Sequence, residues 1–308
     1  MKEIRIDLPT VTLRSLTWAP VGGAPDDAPL AVLLHGFPDT ALTWRHLGPA
    51  LAAEGWRVVA PFTRGYAPSG ISSDGAGHIA ALMDDAVGIH RALGGGPDAA
   101  LVGHDWGAIT ANALAAHPDS PFSRVVALAV PPFVSLRSAA MLQALPRQLR
   151  NSWYIAFNRL PVLPERTLDR VVPRLWRTWS PGYEASADLP AVLAAIADPA
   201  HRRAVVGYYR ALTSPFRPPP RYRAWRGAEM QLPRMPILYL HGAQDGCLDP
   251  RLAALAAAHL PPGSETGLID GAGHFLQLEQ PDEVNRRVLE FLGSPEGTQD
   301  GKPAAPSL

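Results

Sequence analysis

An aspartate occupies the centre of Gly103-His104-Asp105-Trp106-Gly107, between the apolar run 99–102 and the helix-like stretch 108–116. This is the spacing of a sharp strand-to-helix turn, in which the residues two before and two after the central one must be tiny so that the backbone can pass close to itself. Such a turn lifts its central side chain above a sheet as a nucleophile. With serine there, the expected chemistry is acyl transfer on esters or amides. A carboxylate is a poor attacker of carbonyls but a competent attacker of a strained or halogenated sp3 carbon, and Asp105 therefore predicts an alkyl-enzyme ester.

An ester on Asp105 must be hydrolysed by water that a base deprotonates. Of the ten histidines, His274 follows the last strand-like run in Asp270-Gly271-Ala272-Gly273-His274 and is the expected base. His35 and His241 each precede glycine at a strand end and are expected to bond the loop backbone, and His104 is the spacer of the turn. The acid that orients the base should end a strand between nucleophile and histidine. Asp245, in His241-Gly242-Ala243-Gln244-Asp245, meets this condition. Asp249 precedes Pro250 and a helical pattern, the signature of a helix cap. The oxyanion formed during hydrolysis needs preorganised amides. The backbone of Trp106, at a helix N-terminus, and of Phe37, in His35-Gly36-Phe37-Pro38, are the expected donors.

These residues need a scaffold that brings strand ends together. Apolar runs at 30–34, 57–61, 99–102, 124–130, 236–240 and 266–269 alternate with helical patterns, which predicts a largely parallel sheet covered on both faces, with ligands beyond the carboxyl ends of its strands. Segments 3–8 and 10–18 read as antiparallel edge strands that bring the sheet to eight. Between 134 and 228 strand-like runs disappear, and helices are expected at 138–149, 152–160, 165–172, 190–197 and 201–212, with a proline-rich exit at 215–220. The predicted organisation is a core from 1–133 and 229–293, a helical cap at 134–228 and a disordered tail at 294–308.

The 308 residues, 47% of them hydrophobic, are ample for a large core. A formal net charge of zero, with no basic run carrying interleaved aromatics, gives no overall pull toward nucleic acid or an anionic membrane. Arginine outnumbers lysine 26 to 2, which matches the coding bias of a GC-rich genome. The single cysteine, Cys247, excludes an intrachain disulfide and lacks ligand-spaced companions, and Gly94-Gly95-Gly96 precedes a strand instead of joining strand to helix, so neither metal nor dinucleotide is expected. With no signal-like N-terminus and no apolar stretch near the roughly 20 residues that span a bilayer, a cytoplasmic monomer or homodimer is expected.

The motifs HGFP at 35–38, RGY at 64–66 followed by Ser69, GHDWG at 103–107 and GAGHF at 271–275 resemble those of epoxide hydrolases in the α/β-hydrolase superfamily, over nearly the whole chain to about Phe291. The resemblance implies an eight-stranded α/β-hydrolase fold with an inserted cap, no cofactor, and an epoxide as substrate. It also implies two cap tyrosines that activate the epoxide oxygen. Ser152-Trp153-Tyr154 and Gly207-Tyr208-Tyr209-Arg210 are similar to the segments that carry them, which assigns Tyr154 and Tyr209. Trp106, Phe37 and Tyr208 are expected to line the substrate. Haloalkane dehalogenases share the Asp nucleophile and much of GHDWG, so hydrolytic dehalogenation is the alternative. Its members typically place Asn or Glu where Phe37 stands, and fluoroacetate-type enzymes place Arg where Trp106 stands. A ligand-binding protein on a hydrolase scaffold is the reading from another class. Ala67-Pro68 departs from the glycine that usually follows the RGY tyrosine, in a loop outside the proposed site.

Overall fold

The apolar runs become the strands β1 (Lys2–Asp7), β2 (Thr12–Trp18), β3 (Leu30–Leu34), β4 (Arg57–Pro61), β5 (Ala100–His104), β6 (Arg124–Leu128), β7 (Ile237–Gly242) and β8 (Glu265–Ile269). In this computed structural model, which describes residues 1–21, 28–132, 139–212 and 219–294, they form one sheet in the order β1-β2-β4-β3-β5-β6-β7-β8. β1 pairs antiparallel with β2 and β2 antiparallel with β4, and every other pairing is parallel. Continuous burial explains the continuous apolar sequence: β3, β5 and β7 are buried at every residue, because helices cover both faces of the sheet. At the edge, β8 is buried only at Ile269.

The helices on the sheet before the insertion are α1 (Leu47–Ala53), α2 (Ile79–Ala92) and α3 (Trp106–Ala116). Between β6 and β7 the chain leaves the sheet for α4 (Ala139–Asn151), α5 (Trp153–Asn158), α6 (Leu163–Trp179), α7 (Leu189–Ala195) and α8 (Pro199–Ala211), the expected helical cap. It then returns through β7 to α9 (Arg251–Ala257), α10 (Leu276–Glu279) and α11 (Pro281–Leu292). α8 starts where sequence chemistry places it: Asp198 accepts the amide of Ala200 at 2.7 Å, with Pro199 in the first turn.

Most boundaries shift by one or two residues from expectation, and two of the differences have a clear physical reason. β6 stops at Leu128 instead of 130 because Ala129 turns to φ 67°, a conformation that breaks the strand while its amide still donates to Leu240 O at 2.9 Å. α6 runs through Pro173 to Trp179 instead of ending at 172. A mid-helix proline costs about 3 kcal/mol, but Leu168, Val172, Leu175, Trp176 and Trp179 form one buried stripe along this helix, and each such side chain returns roughly 1.5–3 kcal/mol on burial. Tertiary packing carries the helix past its local breaker. The expected tail beyond Ser294 and the expected exit at 215–218 lie outside the described residues.

Candidate active site

The tight turn after β5 forms as its glycines require. Asp105 takes φ 53° and ψ −115° between β5 and α3. A Cβ on Gly103 would overlap the carbonyl of Gly107, one on Gly107 would overlap the carbonyl of Leu34, and one on Gly36 would overlap the Asp105 side chain itself. The first two let strand, turn and helix interlock. The third lets the loop after β3 lie directly on the nucleophile, where the Phe37 amide donates to Asp105 Oδ1 at 2.7 Å. The Trp106 amide, first in α3, lies on the same side, close to where that Gly36 Cβ would stand.

The two carboxylate oxygens of Asp105 therefore differ. Oδ1 faces the Phe37 amide, whereas Oδ2 lies 3.6 Å from His274 Nε2, a buried nitrogen with no hydrogen-bond partner among the described residues. His274 Nδ1 donates to Asp245 Oδ2 at 2.9 Å, and Asp245 Oδ1 accepts the amides of Cys247 at 2.6 Å and Leu248 at 3.0 Å. These bonds fix the Asp245 carboxylate in one orientation. Asp249, by contrast, accepts the Arg251 amide at 3.1 Å at the start of α9 and bonds the Arg251 guanidinium, so it is a helix cap.

The charges follow from the burial. Desolvation pulls the His274 imidazole toward neutrality, but the charge and hydrogen bond of Asp245, together with the nearby Asp105 carboxylate, outweigh it and raise its pKa to about 10. Desolvation pushes the Asp245 carboxyl up, and the charge and hydrogen bond of His274 overcome this and hold it below the ordinary carboxylate value. The other histidines around the site are neutral. Burial lowers His35 to about 4 and His104 to about 3. Both brace loops: His35 accepts the Thr63 amide at 3.0 Å and donates to Gly36 O at 2.9 Å, and His104 Nε2 donates to His274 O at 2.9 Å.

Above this arrangement the cap supplies aromatic rings. Tyr209 meets Phe37, Trp106 and Tyr154 edge to face, with centroids 5.1, 5.3 and 5.6 Å away. Among the described residues its buried hydroxyl has no hydrogen-bond partner. The Tyr154 hydroxyl has one weak neighbour, the Cys247 thiol at 3.4 Å. Burial pushes both phenols well above the ordinary tyrosine value, so both carry their protons throughout the neutral range. Tyr208, expected to line the substrate, donates its hydroxyl to Arg64 O at 2.7 Å while its ring packs on Trp106. The geometry thus distinguishes two adjacent tyrosines: the Tyr209 hydroxyl is uncommitted and that of Tyr208 is engaged.

Two contributors escape a reading by motif. The C-terminal end of α6 fastens the loops, because Trp179 O accepts both the His274 and Gly246 amides at 3.0 Å, and Trp176 stacks on Phe275 at 3.7 Å while its indole N–H donates to Pro38 O at 2.8 Å. The spacing of Trp176 and Trp179 with Leu168, Val172 and Leu175 could have revealed this helix had Pro173 not interrupted the pattern. The other is Cys247, which places one potential metal-ligand atom within 4.8 Å of those of Asp245 and His274. Asp245 and His274 are bonded to each other, and burial pushes the thiol well above its usual pKa. The trio is better suited to holding a proton than a cation.

Residues 29–281 match the family described as alpha/beta hydrolase fold. The chain is 30% identical over 279 residues to the AB hydrolase superfamily protein YfhM of Bacillus subtilis, covering 87% of this chain and 91% of that protein. It is 32% identical over 309 residues to Epoxide hydrolase A of Mycobacterium tuberculosis, covering 86% of this chain and 90% of the relative. The crystal structure of Epoxide Hydrolase A from Mycobacterium thermoresistibile superposes with a TM-score of 0.69 at 26% identity, over 94% of this chain and 98% of that one. With this sheet order, this strand-to-helix turn and relatives matched along nearly their full length, the chain belongs to the α/β-hydrolase fold family, among its epoxide hydrolases.

Proposed function

We propose that the protein hydrolyses an epoxide to a vicinal diol through an ester on Asp105. The observation that carries this reading is a carboxylate with one oxygen on a backbone amide and the other free, beneath one uncommitted and one weakly held tyrosine hydroxyl. Asp105 Oδ2 attacks a ring carbon, the C–O bond breaks, and the departing oxygen takes a proton from Tyr209 or Tyr154. An opening epoxide needs such a donor because its leaving group is an alkoxide. Trp106 and Phe37 line the electrophile's place, and the Tyr208 ring supports Trp106 from behind.

Alkylation also prepares the second step. The ester carries no charge, so His274 loses one of the two carboxylates that hold its proton. The imidazolium gives up its proton, which restores the phenol of the tyrosine, and the neutral imidazole, oriented by Asp245, becomes a base. It takes a proton from water, hydroxide adds to the ester carbon, and the negative charge falls on Oδ1, beside the amides of Phe37 and Trp106. On collapse the hydroxyl proton of the intermediate passes to the departing alkoxide, which releases the diol and restores the carboxylate, and the proton taken from water returns His274 to the imidazolium. No cofactor enters either step.

In this reading residues 1–133 and 229–293 form the core and 134–228 the cap that closes over it. A cytoplasmic location belongs to the same proposal, supported by the buried free thiol of Cys247. Single turnover in water enriched in heavy oxygen tests the mechanism. The first diol released should carry an oxygen from Asp105 and none from solvent, while the label enters the aspartate. Heavy oxygen in that first diol, with Asp105 unlabelled, would overturn the covalent path.

A further inference from the structure

The chain's zero net charge conceals a separation. Segment 134–228 holds fifteen of the 26 arginines and only five acids, whereas the rest of the chain holds thirteen Lys and Arg against twenty-three acids. The inserted segment is thus formally +10 and the remainder −10. Coding bias raises arginine everywhere and cannot produce this partition.

Four of these arginines share one face. Arg166, Arg170, Arg174 and Arg177 are exposed along α6, opposite its buried stripe. Among the described residues no carboxylate lies within 4.0 Å of any of the four. Beside them runs an apolar stripe. Leu145, Leu149 and Trp153 recur every fourth residue along α4 and α5 and are 38%, 66% and 37% exposed. The Arg174 guanidinium over the Trp153 ring, 5.4 Å from its centroid, joins the two stripes. At the α5–α6 turn, Leu160, Val162 and Leu163 are also exposed, and Val162 takes φ 65°. That conformation is strained for a β-branched residue, and here it presents an apolar side chain to the outside.

We propose that this α4–α6 face docks on an anionic lipid surface. Exposed aliphatic side chains rimmed by unpaired arginines match the boundary between acyl chains and acidic headgroups, where the apolar groups enter and the guanidinium groups meet phosphate or carboxylate. The opposite charge of the core orients the molecule, since an anionic surface attracts the cap and repels the rest. A nucleic-acid surface would instead offer bases to stacking rings, whereas here the ring of Trp153 is covered by Arg174 and packs against Phe157. Docking is peripheral, because no described helix is long and apolar enough to cross a membrane. On the activity proposed above, the cap would then face epoxides dissolved in lipid, and apolar, lipid-borne epoxides are the substrate class that fits.

Co-sedimentation of the full-length protein with vesicles tests the docking. We expect binding to mixed phosphatidylcholine and phosphatidylserine vesicles, none to phosphatidylcholine alone, and loss at high ionic strength. Arg166→Glu/Arg170→Glu should weaken the partition by about a hundredfold or more, and Leu149→Ser/Val162→Ser should weaken it without changing its salt dependence. Both variants should hydrolyse a water-soluble epoxide at the parental rate, which shows them folded. Absence of binding to the mixed vesicles, or binding indifferent to both variants, overturns the proposal. So does a salt-sensitive dimer by sedimentation, or oligonucleotide binding, without vesicle binding. If the protein opens no epoxide at all, the vesicle measurement still decides the docking, with circular dichroism reporting the fold of the variants.

Discussion

The strand ends of the sheet and the helices inserted above them contribute to one site in different ways. The sheet supplies groups whose positions are fixed by backbone: Asp105 on its strained turn, the Phe37 amide on a loop that only Gly36 allows so close, and His274 between Asp245 and the amide contact to Trp179. The cap supplies Tyr154 and Tyr209, held by ring edges on Trp179, Trp106 and Phe37. Backbone interlock tolerates no displacement, whereas edge-to-face packing admits adjustment by rotamer and by helix shift. On the proposed function, the sheet determines that an ester forms and is hydrolysed, and the cap determines which leaving group can depart.

Removing a group from the sheet should therefore abolish chemistry of every kind, and removing one from the cap should abolish it selectively. Asp105→Ala is expected to lower steady-state turnover by about 10⁶-fold, on epoxides and haloalkanes alike, as measured by diol or halide release. Next, His274→Gln should lower steady-state turnover about 10⁴-fold while leaving alkylation intact. Intact-protein mass spectrometry would then show a substrate adduct on Asp105 that persists, and its absence would mean that His274 is needed before the ester forms. Tyr154→Phe/Tyr209→Phe should cost about 10³-fold on epoxides and spare any dehalogenation. Tyr208→Phe is the control. It loses only the bond to Arg64 O, worth about 1 kcal/mol of stability, and should leave the rate nearly unchanged. Equal losses from Tyr208 and Tyr209 would erase the distinction between sheet and cap.

The linkage between ester formation and the base can be measured in the resting enzyme, with Asp105→Asn as a neutral mimic of the ester. His274 is raised to about 10 by Asp245 and Asp105 against the pull of burial, so the variant should titrate at lower pH, by NMR of the imidazole. A base whose folded pKa lies above its unfolded value of about 6.5 stabilises the fold fully below that value and loses the contribution as pH rises through the folded pKa. For the parent this window closes near pH 10, and for the variant it should close earlier. Denaturation midpoints followed from pH 6 to about 10 should therefore fall at lower pH in Asp105→Asn. An unmoved His274 titration would mean that Asp245 alone holds the proton.

The same division governs what could be read from the chain. Everything the sheet supplies is announced locally, since glycines at fixed offsets from Asp105 and a Gly-rich loop before His274 are backbone requirements visible in consecutive residues. The contributions of the cap are set by packing. Adjacent helical residues point about 100° apart, so Tyr208-Tyr209 in sequence gives two candidates and only the bond to Arg64 O distinguishes them. α6 crosses Pro173 because of a stripe of residues whose burial depends on what lies beneath. The charge partition was legible throughout, but a net charge summed over the whole chain cancels it. Segregation, not the total, is the quantity that bears on docking.

A small effect is expected where a loop of the sheet meets a cap tyrosine through a polar side-chain contact. Cys247 lies 93 residues from Tyr154 in sequence, yet its Sγ lies 3.4 Å from the phenol oxygen. A thiol is a weak hydrogen-bond partner, so the contact positions the tyrosine without engaging its proton. Cys247→Ala should preserve that freedom and lose only positioning, lowering kcat/KM for epoxides by about threefold, chiefly through KM. Cys247→Ser introduces a stronger partner that competes with the epoxide oxygen for the Tyr154 proton, and the loss should move into kcat and exceed that of alanine. Because Tyr209 has no partner to lose, the serine effect should vanish in a Tyr154→Phe background. If it persists there, the thiol acts through Asp245 and His274, and the boundary between cap and sheet lies elsewhere than at this contact.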